Sequence, residues 1–298
     1  MSTLTASTLA AQHILAEFNR IPRSKPLFVG IQGPQGSGKT HLSRSLVSLL
    51  SSPPHSLHLA VFSVDDLYLT HEGLVDLAAN NPGNRLWKGR GQPGTHDVEL
   101  GAYTLKKLRD LNDSSSSNIV TLPIFDKSKF NGEGDRLSEG VNIEGPVDIV
   151  ILEGWCMGFY PLDNETLNKK RDAIISGSDD SLRNDLDIAQ RCMEGISKRD
   201  VEQVNESLHG YVEQWYPYFE AFIQWRLQQE HDMKSKNGGV GMTDDQVVKF
   251  VDRYIPGYIF FAPGIEHGGS SQNCPPWHGR GLCITIDENR QVIKTSKF

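Results

Sequence analysis

The chain has 298 residues, 38% hydrophobic and 22% charged, with a formal net charge of −7. That size suits one large α/β domain, and that composition is ordinary for a globular protein. The acidic balance excludes a nucleic-acid-coating protein, which needs a basic face, but is compatible with a local basic pocket for a small anion.

The N-terminus lacks the basic start and apolar core of a secretory signal. "LAAQHILAEF" has helical spacing and predicts a leading helix within residues 1–24. "PLFVGIQ" (residues 26–32) is a short apolar run that passes directly into "GPQGSGKT" (residues 33–40). "THLSRSLVSLL" then places Leu42 and Leu49 at helical intervals, and the paired prolines of "SSPPHS" end that helix. Three more apolar runs follow. "LHLAVFSV" (57–64) ends in Asp65 and Asp66, "NIVTLPIFD" (118–126) runs up to Lys127, and "VDIVILEGW" (147–155) contains Glu153 near its end. Unalternated Val, Ile and Leu in runs of this length suit strands buried on both faces of a parallel sheet. With helical segments between several of them, the expectation is a doubly wound α/β fold whose ligands gather at the carboxyl ends of the strands.

Residues 162–210 are polar and read as solvated helices. From residue 225 the chain runs through "KSKNGGVGM" to the amphipathic "TDDQVVKFVDRYI", which predicts lid helices over 225–256. The tail at 281–298 reads as two strands around "DENR". There is no internal repeat, and no apolar run approaches a membrane span. Cys156, Cys192, Cys274 and Cys283 form no C-x-x-C pair. Free thiols in a reducing compartment, the cytoplasm, are therefore expected.

The octapeptide matches G-x-x-x-x-G-K-[ST]. Its glycines let the backbone curl so that successive N–H groups of Gly33, Pro34, Gln35, Gly36, Ser37 and Gly38 (Pro34 excepted) face an anion, and the next helix aims its positive end there. Lys39 is expected on the β- and γ-phosphates of ATP, and Thr40 on Mg²⁺. In "VFSVDDLYLT" neighbouring carboxylates face opposite ways. Spacing alone leaves open whether Asp65 or Asp66 accepts the proton of an acceptor hydroxyl, or whether both cap a turn. Glu153, buried at a strand end, needs compensation, either hydrated Mg²⁺ or local backbone donors. The loops "GRGQPGTHDVEL" (89–100) and "DKSKFNGEGDR" (126–136) supply an acceptor pocket. Arg90, His96, Lys127 and Arg136 are placed to clamp a small carboxylate, and Asp97 to accept from a hydroxyl. Arg226, Lys234 and Lys236 flank "NGGVG", as in a mobile lid that neutralises phosphate charge, with a solvated helix hairpin as the alternative. No N-K-x-D guanine-reading motif is present.

Taken together, "GPQGSGKT", "SVDDLYLTHE", "GRGQPGTHD", "PIFDKSKFNGEGDR", "ILEGWCMGF", "WRLQQEH" and "GMTDDQVVKFVDRYIPGY" resemble the fungal and plant D-glycerate 3-kinase family over most of the chain. More distantly the chain is similar to uridine kinase, phosphoribulokinase and bacterial pantothenate kinase. The resemblance implies one three-layer P-loop NTPase domain with a mainly parallel sheet and helical lid, acting as an ATP-dependent kinase with Mg²⁺. It selects Asp65 over Asp66 as the base, and assigns Glu153 to the magnesium region beside Thr40 and Asp65. Lys39, Asp65 and Glu153 are thus the expected catalytic set, and Arg226 and Lys236 join the loop around ATP. An anionic hydroxy acid, D-glycerate first, is the expected acceptor, with neither nucleic acid nor membrane as partner. A nucleoside or pantothenate-like alcohol, or an ATP-binding regulatory protein without turnover, are the alternatives. One departure stands out. The family separates an apolar strand like "FEAFIQ" from "WRLQQEH" by a loop and the start of a helix, whereas Gln224 joins Trp225 directly here. That shortening by about ten residues lies where related kinases pass near the adenine, so either the fold absorbs the loss or the chain is altered there and nucleotide affinity with it.

Overall fold

The computed structural model describes residues 5–113, 118–179, 182, 186–227, 252–269, 274–287 and 289–298. Helix α1 (Ala6–Phe18) is capped by the Thr5 hydroxyl, which accepts from the Thr8 N–H. Strand β1 (Leu27–Gln32), helix α2 (Lys39–Ser51), β2 (Leu59–Ser63), a 3-10 turn (Val64–Leu67), α3 (His71–Asn80) and α4 (Val98–Arg109) follow. Four short strands, β3 (Ile119–Leu122), β4 (Phe125–Asp126), β5 (Asp135–Arg136) and β6 (Val141–Glu144), precede β7 (Ile149–Gly154). Helices α5 (Asn164–Ser176), α6 (Leu186–Met193) and α7 (Lys198–Gln214) lead to β8 (Ala221–Leu227). Helices α8 (Ile255–Phe261) and α9 (Gly264–His267) and strands β9 (Gly281–Ile286) and β10 (Val292–Lys297) complete the described elements.

The central sheet has the order β10-β9-β8-β1-β7-β2. All neighbours are parallel except β10, which pairs antiparallel with β9 as the predicted terminal hairpin. Every residue of β1 and β7 is buried, and the two-residue period of a strand sends alternate side chains into two cores. Phe28, Val150, Leu152 and Phe222 meet Leu105 and Leu108 of α4 and Val204 and Leu208 of α7 on one face. Leu27, Val29, Ile31, Ile151 and Ile223 meet Ile14 and Phe18 of α1 and Leu42 and Leu46 of α2 on the other. Two covered faces make three layers. The sequence leaves the middle strand β1 for β2 on one side, and β8 takes the other. The crevice therefore opens at the carboxyl end of β1.

Several expectations are corrected. The 118–126 run is no part of the central sheet: β3 pairs antiparallel with β6, and β4 with β5. In β3 only Val120 and Leu122 point inward, and Pro123, which has no N–H for a ladder, follows at once. Leu49 is exposed, and Leu46 and Leu50 fill the core instead. The 162–210 stretch is helical, yet α7 is more than a solvated helix, since Val201, Val204, Leu208 and Tyr211 are buried along one stripe. Residues 225–227, expected to begin the lid, continue β8; residues 228–251 lie outside the described residues. No helix among the described residues is long and apolar enough to cross a membrane.

Helices α4 and α7 approach closely at Gly101, where an added β-carbon would lie 2.4 Å from the Trp215 ring. Trp215 cannot yield, because it is fully buried and donates its Nε1–H to the Val98 carbonyl at 2.8 Å. Gly101→Val is expected to cost about 1–3 kcal/mol by overpacking, read as a lower denaturation midpoint. An unchanged midpoint would contradict this packing.

Candidate active site

Between β1 and α2 the chain turns through Gly36 (φ 71°) and Gly38 (φ 96°), a left-handed conformation that glycine adopts without steric cost. No side chain caps α2, so its first N–H groups are left for a ligand, with the positive end of the helix behind them. Ser37 Oγ and Lys39 Nζ both donate to the Pro34 carbonyl, at 2.7 and 2.9 Å. Gln32 Nε2 donates to the Trp155 carbonyl at 3.0 Å and ties the end of β1 to the segment after β7. Lys39 is buried, which lowers its pKa; the charges of Glu153 and Asp65 oppose that shift.

Parallel pairing places Ser63 of β2 and Ile31 of β1 on either side of Glu153. The two aspartates after β2 then separate. Asp66 accepts from the Ser63 N–H at 3.1 Å and from the Phe125 N–H at 3.2 Å, so both its oxygens serve the backbone. Burial raises its pKa, against those two N–H groups. Asp65 instead accepts from Lys127 Nζ at 2.5 Å. Burial pushes its pKa up, but the charge and hydrogen bond of Lys127, with help from His96 and Lys39, bring it below the usual value. Asp65 is thus held ionised.

Glu153 is buried, and its pKa is raised by that burial against the pull of Lys39. The Thr40 hydroxyl makes a long contact with its Oε1 at 3.5 Å. A hydroxyl beside a carboxylate suits Mg²⁺, which takes one or two protein oxygens next to phosphate and keeps its remaining waters. Among the described residues no group of three His, Cys, Asp or Glu could cage a metal alone. Lys39, Thr40, Asp65, Asp66, Lys127 and Glu153 all line one cleft of about 370 Å³.

The other expected residues are distributed less uniformly. His96 is buried and stacked on Tyr68, with ring centroids 4.3 Å apart. Its Nδ1 meets the Tyr211 hydroxyl at 2.7 Å, while that oxygen accepts from the Gly94 N–H at 3.2 Å. The phenol proton is best used by donating to Nδ1, which leaves the proton of a neutral imidazole on Nε2. Nε2 is buried without a partner. Asp97 caps α4 by accepting from the Leu100 N–H at 3.0 Å, and its other oxygen accepts from Arg136 at 3.0 Å. Arg136 also donates to the Tyr68 carbonyl at 2.7 Å. These two therefore brace the scaffold behind Tyr68 rather than standing open in the cleft. Arg90 donates to the carbonyls of Gly132 and Glu133. Arg226 pairs with Glu266 at 2.6 Å, and Lys236 lies outside the described residues.

Sequence reasoning missed Tyr211, Arg253, Tyr254 and Arg290. An added β-carbon on Gly38 would lie 3.7 Å from the Arg290 guanidinium, which thus hangs over the phosphate loop. The pair Arg253–Tyr254 just before a helix-starting proline was a readable signal, whereas the others are brought in only by folding. The junction of Gln224 and Trp225 is also accommodated. Strand β8 runs straight through it, pairing Phe222–Leu227 with Gly281–Ile286, and Trp225 Nε1 donates to the Ser37 carbonyl at 3.1 Å.

A parallel sheet, a phosphate loop at its middle strand and acids on the flanking strand ends together define a P-loop kinase acting on small molecules. No family model matches the chain. It is 36% identical over 275 residues to a Saccharomyces cerevisiae protein described as a probable ATP-dependent kinase, covering 91% of this chain and 88% of that protein. It is 34% identical over 281 residues to the chloroplastic D-glycerate 3-kinase of Arabidopsis thaliana, covering 90% of this chain and 54% of that enzyme. The solved structure of D-glycerate 3-kinase from Cryptococcus neoformans var. grubii superposes with a TM-score of 0.84 at 35% identity, covering 99% of this chain and 100% of that one. The chain belongs to the D-glycerate 3-kinase family and is an ATP-dependent small-molecule kinase.

Burial lowers the His96 pKa from 6.5 to about 4, against the opposing charge of Asp65. The unfolded chain takes up this proton below pH 6.5 and the folded one only near 4. The stability His96 contributes is therefore full above pH 6.5 and is lost as the pH falls toward 4. Its size is about 3 kcal/mol. Denaturant titrations from pH 7 to 4 should show a steeper loss of stability in the wild type than in His96→Gln. Parallel curves would contradict the assignment.

Proposed function

We propose that this kinase moves the γ-phosphate of ATP to the 3-hydroxyl of D-glycerate, with Asp65 accepting the hydroxyl proton. The observation that carries the reading is the division between the two aspartates. Asp66 is consumed by backbone N–H groups, while Asp65 is ionised and faces the cleft beside Lys39. The phosphates lie along the loop from Gly33 to Thr40. Lys39 transfers its hydrogen bonds from the Pro34 carbonyl to the β- and γ-phosphate oxygens. Thr40 and Glu153, with Asp65 nearby, would hold Mg²⁺, which would supply charge neutralisation across those phosphates. The acceptor oxygen forms its bond to the γ-phosphorus as the bond to the β,γ-bridging oxygen breaks. ADP leaves, and the hydroxyl proton passes to Asp65.

Lys127 keeps Asp65 ionised in the resting site and offsets charge on the transferring group. His96 Nε2–H offers a neutral donor to an acceptor oxygen, and Arg90 a guanidinium to its carboxylate. Names of relatives support D-glycerate as acceptor, as do these cationic loops. Four free cysteines, three of them buried, support a reducing compartment such as the cytoplasm. One domain spanning residues 1–298 is the organisation that fits the continuous two-faced sheet.

An acceptor panel with ATP, read by mass spectrometry, tests the reading. The wild type is expected to phosphorylate D-glycerate, and Asp65→Asn to lose about 100- to 10,000-fold in kcat while still binding ATP. Turnover of uridine with none of D-glycerate, or undiminished activity in Asp65→Asn, would overturn it.

A further inference from the structure

A second cavity, of about 490 Å³, lies against the Lys88–Arg90 segment and the 131–133 turn. Three of its lining side chains are the cations Lys88, Arg90 and Arg253. Arg253 immediately precedes Tyr254 and α8, and its carbonyl accepts from Gln92 Nε2 at 2.6 Å. Its guanidinium packs over Gly89, where an added β-carbon would lie 3.2 Å away. Among the described residues the Arg90 guanidinium donates only to the two carbonyls already named. Glu133, the acid in the lining, is engaged by His71 Nε2 at 2.7 Å. Among the described residues, then, neither guanidinium has a carboxylate partner. In a chain of net charge −7 this is a local reversal of sign, and paired guanidiniums without acids favour an incoming anion.

Two buried phenols, Tyr68 and Tyr254, feel charges of both sites, and the Tyr254 hydroxyl lies against Gly91 next to Arg90, where an added β-carbon would be 3.3 Å from it. The Tyr254 hydroxyl lies in the combined fields of Asp65, Arg253 and Arg90. The Tyr68 hydroxyl lies in those of Asp65, Tyr254 and Arg90. Asp65 and Arg90 thus act on both phenols, and Arg253 on Tyr254.

We propose that Arg253 and Arg90 form the carboxylate subsite of the acceptor, with Tyr68 and Tyr254 lining the path of its hydroxyl to Asp65. Arg253 is then the residue that separates a hydroxy acid from a neutral polyol of the same length. The inference rests on the hydroxy-acid reading above, and names the side chain that recognises the acid.

The test is steady-state kinetics of the wild type, Arg253→Leu and Arg253→Lys with D-glycerate and with glycerol, which keeps hydroxyls but has no carboxylate. Losing a charged hydrogen-bond partner should raise the KM for D-glycerate by about 10- to 100-fold in Arg253→Leu. The preference for D-glycerate over glycerol should shrink by the same factor. Arg253→Lys should recover part of the loss, because it keeps the charge but not the forked geometry. The KM for ATP, and calorimetric ATP binding as a check on folding, should match the wild type. An unchanged KM for D-glycerate overturns the subsite, and so does a raised KM for ATP, which would assign Arg253 to the nucleotide. A wild type that ignores D-glycerate while turning over another acceptor sinks the hydroxy-acid reading itself. That outcome is visible before any variant is made.

Discussion

Asp66 receives the N–H of Ser63 at the end of β2 and the N–H of Phe125 in β4. Through these bonds one carboxylate stitches the central sheet to the small hairpin that carries Lys127. The bonds occupy both its oxygens and fix the direction of the turn. Asp65, the preceding residue in that 3-10 turn, is thereby aimed at the cleft, where Lys127 meets it. A half-buried aspartate with two backbone donors is a stable anchor. A half-buried aspartate beside a lysine is held ionised. Both depend on the same four-residue turn.

Burial acts on Lys39, Asp65, Asp66 and Glu153, and the partners decide the outcome. Asp65 falls below its usual pKa because the charge and hydrogen bond of Lys127 offset desolvation, whereas Glu153 rises because burial outweighs the pull of Lys39 and Lys127. Two carboxylates on neighbouring strand ends are thereby driven apart in acidity, the pattern expected when one accepts a proton and the other awaits a cation. The loop between β1 and α2 is held from the other side by Trp225, whose indole donates to Ser37. The direct junction at Gln224 thus extends β8 under the phosphate loop instead of leaving it unsupported.

The donor half of the site was legible because a phosphate loop needs glycines, a lysine and a hydroxyl in strict local order. The ends of β1, β2 and β7 were legible because fully buried parallel strands need unbroken apolar runs. Asp65 and Asp66 were not separable by spacing, since the deciding N–H belongs to Phe125, about sixty residues on in the chain. The same limit hid the partners of Asp97 and Arg136. As charges in glycine-rich loops they resembled ligands, but each is satisfied largely by the other and by backbone. The 118–126 run looked like a core strand because local hydrophobicity does not reveal which sheet a strand joins. The Arg253–Tyr254 pair was readable beside its proline, but only folding shows that Arg90 lines the same cavity as Arg253.

The central claim is that Lys127 acts on phosphoryl transfer through the ionisation of Asp65. A double-mutant cycle on kcat, with Asp65→Asn, Lys127→Met and the pair, tests it most directly. The account predicts strong non-additivity, with the double variant little worse than Asp65→Asn alone. Fully multiplicative losses would show that the two side chains act independently and would contradict it.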